Sequence, residues 1–195
     1  MNPLLARLGP LLVVTALVAA CGSNGDQSAA GRVRPAETAI PDGVKDPRVA
    51  PAVAAYQLFQ SAVAHSQEKP LAAAGEYPEG SDFTRYSFEP ISTEFEAEIK
   101  RLKLANGQFR GTPPTSNVTV VSIDPDANPW PEVTLSDCQT GQAGWQAVDT
   151  RTGDPLPDIA PRVPRPYGIT ISMVYNQQHW GVNTMSMDPD RTCPD

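Results

Sequence analysis

Tyr167-Gly168-Ile169-Thr170-Ile171-Ser172-Met173-Val174-Tyr175 is followed by Asn176-Gln177-Gln178, and then by His179-Trp180-Gly181-Val182-Asn183-Thr184-Met185-Ser186-Met187. The first run is the clearest strand in the chain, rich in β-branched and aromatic residues. The polar triplet reads as a hairpin turn and the last run as the returning strand. Working toward the N-terminus, residues 155–166 are proline-dense and predict an extended crossing held by restricted φ rather than by ladder bonds. Residues 145–149 predict a strand ended by Thr152-Gly153-Asp154, and residues 141–144 a turn. In residues 133–138, Val133 and Leu135 alternate inward with Thr134 and Ser136 outward. Residues 118–123 form a β-branched run between Pro114 and Pro125.

Before Gly107 the period changes from two to that of a helix. Val49, Val53, Tyr56, Phe59 and Val63 recur at spacings of four and three, predicting a helix over residues 47–67. Asp46 is the expected N-cap, with Pro47 in the first helical position. Residues 71–74 predict a short second helix ended by Gly75. Phe83, Tyr86 and Phe88 fall in a loop-like stretch. Thr93 and Glu96 have the spacing of a capping box for a further helix with Phe95, Ile99 and Leu102 on its apolar face, stopped by Asn106-Gly107. Helices first and a mainly antiparallel sheet afterwards define an α+β fold, with the helices on one face of a curved sheet.

The chain has 195 residues and a formal net charge of −7. It shows no basic stripe of the kind that tracks a phosphate backbone, so nucleic acid is not an expected partner. Its 21 prolines and 14 glycines are many for a compact domain, and they concentrate in the tail and the long connections.

The first residues carry one arginine, Arg7, then an uncharged apolar run from Leu8 to Ala20. As a helix this run would extend about 20 Å, short of the roughly 30 Å hydrocarbon core of a bilayer, and it suits a secretory signal. It ends Val18-Ala19-Ala20-Cys21-Gly22-Ser23, which resembles the bacterial lipobox. Residues 1–20 are therefore read as a lipoprotein signal peptide and Cys21 as the lipidated residue, carrying two acyl chains of the palmitate kind and giving durable attachment. Residues 21–46 read as a lipidated flexible tether, since residues 22–46 have few large apolar groups to bury. Residues 47–195 read as one domain. The expected location is the cell envelope, on the outer face of the cytoplasmic membrane.

With Cys21 acylated, Cys138 and Cys193 remain as a pair in an oxidising compartment. A disulfide between them is expected; two free thiols are the alternative.

Motifs for chemistry are few. His65 is flanked by Ser66, Gln67 and Glu68, and His179 follows a turn, so both read as solvated rather than catalytic. Asp149 closes a strand and reads first as a turn residue. Asp124-Pro125-Asp126-Ala127-Asn128 lacks the glycine and distal glutamate of a calcium loop and reads as a turn. No Gly-x-Ser-x-Gly element occurs. No catalytic residue, metal ligand or cofactor is assigned. Trp130, Trp145, Trp180, Tyr86, Tyr167 and Tyr175 read as core or cross-strand aromatics, with pocket lining as the alternative. The candidate pocket set is Tyr86, Trp145, Asp149 and Tyr167.

Several elements together are similar to small secreted lipoproteins of actinobacteria. They are residues 54–59 of the first helix, Leu135-Ser136-Asp137-Cys138, residues 145–149 with Thr152-Gly153, and His179-Trp180-Gly181-Val182. The resemblance implies the cone-shaped fold of nuclear transport factor 2, with a concave sheet whose interior is a pocket or a filled core. It transfers no functional residue beyond the lipidated cysteine and the cysteine pair. The expected function is a non-enzymatic binding or accessory protein of the cell envelope, anchored to the membrane through Cys21 and taking an envelope protein or a small apolar ligand. The alternatives are a cone-fold enzyme with a cavity acid or base near Asp149 or Tyr86, and an accessory domain of a secretion or conjugation complex.

Overall fold

A computed structural model describes residues 46–71, 75–140, 144–159, 166–188 and 193. The signal, Cys21, the tether before Asp46, residues 72–74 of the short second helix, residues 141–143 and residues 160–165 of the proline-dense run lie outside them.

The first helix, α1 (Val49–Glu68), buries Val49, Ala52, Val53, Tyr56, Phe59 and Ala62 along one face. Ala62, rather than the half-buried Val63, completes that face. It begins two residues later than the sequence predicts. Asp46 is drawn into a separate turn: its Oδ1 accepts the Arg48 N–H at 2.8 Å and its carbonyl accepts the Val49 N–H at 3.1 Å. Pro47 sits inside that turn, and Ala52 donates to the Arg48 carbonyl at 3.2 Å. Leu71 is buried but not helical.

Phe83–Tyr86 form a 3-10 turn, which drives Phe83 fully into the core. The second helix, α2 (Ile91–Leu104), buries Ile99 and Leu102 as predicted, and Phe95 meets Phe59 edge-on with centroids 5.3 Å apart. The capping box does not form. Thr93 and Glu96 already lie inside the helix, whose N-cap position is Pro90 with no side-chain bond. The neighbouring Thr93 and Ser92 hydroxyls hold the Glu89 carboxyl below the usual range.

Six strands follow: β1 (Gly107–Arg110), β2 (Thr115–Asp124), β3 (Glu132–Thr140), β4 (Gln146–Asp149), β5 (Tyr167–Asn176) and β6 (His179–Asp188). All named pairings are antiparallel. β2-β3-β5-β6 make one sheet, while β1 and β4 make a separate two-stranded sheet. The expected α+β fold is therefore observed, but the strand at residues 145–149 does not join the main sheet. It pairs with β1, a strand the sequence reading lacked because Asn106-Gly107 looked like a simple helix stop. A satellite core of Leu102, Phe109 and Ala147 lies beneath this ribbon, packed by Trp145, Leu156 and Ile159.

The main core lies between α1 and one face of the four-stranded sheet. Val118, Val120, Val133, Leu135, Ile169, Ile171, Met173 and Val182 are all below 5 % exposed. Adjacent positions across β3 and β5 pair Leu135 with Ile171 and Val133 with Met173. Gln177 and Gln178 close the β5–β6 hairpin at φ 50° and 69°, the two left-handed positions of a type I′ turn. The outer edge of β6 is covered: Phe88 donates its N–H to the Val182 carbonyl at 2.8 Å, and its ring lies against Gly181. A Cβ at Gly181 would stand 2.6 Å from that ring. Cys138 and Cys193 are disulfide-bonded, with Cα atoms 5.7 Å apart, tying the C-terminus to β3.

Candidate functional site

The two ends of β5 have different surroundings. Tyr167 and Tyr175 are separated by eight residues, about 26 Å of strand. At the Tyr175 end the core is open, and at the Tyr167 end it is closed by polar bonds.

The open end is a groove of about 560 Å³. One wall is the start of α1, where Pro47, Pro51 and Ala55 present rigid or small surfaces. The opposite wall is the hairpin, with Tyr175 and Trp180 in register across β5 and β6, their ring centroids 5.6 Å apart and their planes tilted by 56°. Tyr86 from the 3-10 turn and Pro131 before β3 complete the apolar lining. Trp180 is nearly buried, and Tyr175 is 42 % exposed. Hairpin alternation explains the placement: Tyr175 continues the Ile169-Ile171-Met173 row past the last turn of helix able to cover it.

Two guanidiniums stand in the groove wall, Arg48 and Arg85. Asp46 holds Arg48 through Nε at 2.8 Å and Nη2 at 2.6 Å. Asp82 holds Arg85 through Nε at 2.9 Å. Neither carboxylate lines the groove. The Arg48 bonds depress the Asp46 pKa to about 2. His179 lies at the rim, its ring 4.9 Å from Phe88 and its Nδ1 3.3 Å from the Gln177 carbonyl oxygen. A smaller recess of about 360 Å³ adjoins it and shares Arg85 and Tyr86.

The closed end is built on Asp137, which is fully buried. Its Oδ2 accepts from the Tyr56 hydroxyl at 2.8 Å, Gln60 Nε2 at 2.7 Å and Gln139 Nε2 at 3.1 Å. Its Oδ1 accepts from the Ser116 hydroxyl at 2.6 Å. Four neutral donors thus replace the water that an isolated buried carboxylate would lose. Burial, then the neighbouring carboxylate, pushes the Tyr56 phenol well above its ordinary pKa. Tyr167 donates to Gln139 Oε1 at 2.8 Å, and burial followed by the charge of Asp137 raises its phenol too. With both carboxylate oxygens engaged, this arrangement can orient strands and helix, but it holds no unengaged base aimed into a cavity.

The four residues of the predicted pocket set are not brought together. Tyr86 is in the groove. Tyr167 belongs to the Asp137 network. Trp145 packs on Phe109 in the satellite core, centroids 5.1 Å apart. Asp149 is the last residue of β4, where Arg151 bonds it through Nε and Nη2 and depresses its pKa to about 2. Trp145 and Asp149 leave the pocket because β4 pairs with β1 and not with β5. His65 is exposed near the end of α1. Asp124 Oδ1 accepts the Asp126 N–H at 3.1 Å, a local Asx turn. Among the described residues no group of three or more His, Cys, Asp or Glu side chains could hold a metal ion, and no helix is long and apolar enough to cross a membrane.

The sequence reading assigned Asp137 no role. The alternation Val133, Leu135 reaches residue 137 next, and that inward slot was the available signal.

No family model matches the chain, and no curated protein matches it. Among solved structures, the intermembrane space region of the chloroplast protein ARC6 aligns over 73 % of this chain and 95 % of its own length, at 11 % identity and a TM-score of 0.43.

Proposed function

We propose that this protein is an extracytoplasmic lipoprotein, anchored through Cys21, whose domain binds a small apolar ligand without transforming it. The groove between α1 and the β5–β6 hairpin carries the reading. Binding sites for small molecules are concave and mostly apolar, with a few polar groups that fix orientation, and about 560 Å³ falls within their usual range. Tyr86 and Tyr175 supply aromatic contact surface at low entropic cost, and Pro47, Pro51 and Pro131 are rigid, so little need be ordered on binding. The buried carboxylate that an enzyme of this shape would need is fully engaged by four donors at the other end of β5. The Cys138–Cys193 bridge supports the extracytoplasmic location, because such bonds persist in oxidising compartments.

Two measurements test it. Detergent phase partition of the expressed chain against Cys21→Ala should move the protein from the detergent to the aqueous phase; equal partition sinks the anchor. Native mass spectrometry of the purified protein should show a co-purifying small molecule that is lost in Ala55→Trp, a change that fills the groove. Identical ligand occupancy in both proteins sinks the groove as the site.

A further inference from the structure

Resting on the groove reading above, we propose that its ligand is a single long acyl chain ending in a carboxylate. The lining divides by chemistry. The floor and walls, Pro51, Ala55, Tyr86, Tyr175 and Trp180, offer carbon surface and aromatic faces. Every charged side chain in the wall is a guanidinium. Arg48, just before α1, and Arg85, on the 3-10 turn, belong to that lining, each held by a carboxylate, Asp46 or Asp82, that does not. With each guanidinium paired to one carboxylate, the exposed outer edge of Arg85 is the donor group left to recognise an anionic end on an otherwise apolar ligand.

The guanidinium geometry favours a carboxylate. Arg85 reaches Asp82 through Nε, and its side chain remains 75 % exposed, so the outer edge of the fork can take a second carboxylate in parallel bonds. Arg48 is 41 % exposed and more fully engaged by Asp46, so it contributes orientation more than a second strong bond. Because both cations are already paired, the head group adds selectivity and the chain supplies the affinity. A neutral apolar ligand would leave the outer edge of Arg85 to water.

The test is isothermal titration of the full-length chain with saturated carboxylic acids of increasing length, below their micellar concentrations, and with the matching alcohols. Burying each added methylene should tighten Kd by about fourfold until the groove is full, after which the gain stops. The acid should bind about fivefold to tenfold more tightly than its alcohol, and Arg85→Ala should erase that difference while the length dependence persists. Equal affinity of acid and alcohol in the unchanged protein overturns the carboxylate assignment and leaves the apolar-ligand reading standing. No saturable binding of either series overturns both. Binding that survives Ala55→Trp, or that appears only with vesicles of anionic lipid, assigns the amphiphile to another surface and overturns the proposal. Arg85→Ala is the second handle should Ala55→Trp fail to fold, because Arg85 is exposed and lies outside the core.

Discussion

Removing the Asp137 carboxylate is the sharpest test of what holds α1 on the sheet. In Asp137→Ala the four donors lose their acceptor together. Gln60, Ser116 and Gln139 are half-exposed and can turn to water. Tyr56 cannot, because its side chain is fully buried and its hydroxyl oxygen already accepts Gln60 Nε2 at 3.1 Å. A buried hydroxyl left without an acceptor costs about 1–3 kcal/mol, and a lost bond to a charged group about 1.5–3 kcal/mol. The sum is about 2.5–6 kcal/mol, a large part of the roughly 5–15 kcal/mol by which domains are stable. Asp137→Asn keeps an acceptor for Tyr56 and can aim its amide at the Ser116 oxygen, so it should cost only about 1–2 kcal/mol. Urea unfolding of the oxidised protein, followed by tryptophan fluorescence at unchanged m-value, measures both. An alanine variant within about 1 kcal/mol of the parent, or an asparagine variant as damaged as alanine, would refute the account, because the network would then be no more than a bystander.

Further expectations concern the ends of the elements. Reducing the Cys138–Cys193 bridge opens a 55-residue loop and should lower stability by roughly 4 kcal/mol, read as a drop in the urea midpoint on adding reductant; an unchanged midpoint would show that the unfolded chain gains nothing from the cut. The Asp149 carboxyl should titrate near pH 2 by NMR and return toward its ordinary 3.8 in Arg151→Ala. Its folded pKa is depressed, so its contribution to stability is in place above about pH 4 and is lost as pH falls toward 2, and salt should weaken it because the pair is exposed. Gln177→Asn with Gln178→Gly should stabilise the hairpin by about 1 kcal/mol, since both positions are left-handed and glutamine is poorly suited to them; thermal unfolding no higher than the parent's would count against a type I′ turn.

The sequence exposes the parts of this fold that depend on local periodicity. The strand run from Tyr167, its return from His179 and the apolar face of α1 could all be read because each follows a single period over two turns or more. Strand partnership is different. Nothing within Trp145-Gln146-Ala147-Val148-Asp149 says that it pairs with the four residues after a helix stop instead of with β5. That choice is made by Leu102, Leu156 and Ile159 closing a second small core around Phe109 and Ala147, and it is what scattered the predicted pocket set. Helix starts failed for a related reason. Asp46 and Thr93 carry the right chemistry for caps, but Asp46 is drawn to Arg48 and Thr93 already lies inside α2. The groove was beyond reach of any local signal, since Pro51, Tyr86, Pro131 and Tyr175 meet only once the sheet has formed.

The two ends of β5 are coupled through α1, and this gives the buried carboxylate a functional consequence. Apolar packing is non-directional, so Val53, Phe59 and Ala62 hold α1 against the sheet without fixing where it stands along it. Directional bonds from Tyr56 and Gln60 to a single carboxylate on β3 do fix it. Ala55 adjoins Tyr56, and Pro51 lies about one and a half turns back along the same helix, so their distance from Tyr175 and Trp180 depends on that bond. Tyr56→Phe removes the donor with no loss of ring volume. It should cost about 1–2 kcal/mol of stability and also weaken groove ligands several-fold, because the α1 wall of the groove would lose its register. A Tyr56→Phe protein that loses stability but binds ligand with the parent's affinity would separate the two ends and show that the groove is held open by the hairpin alone.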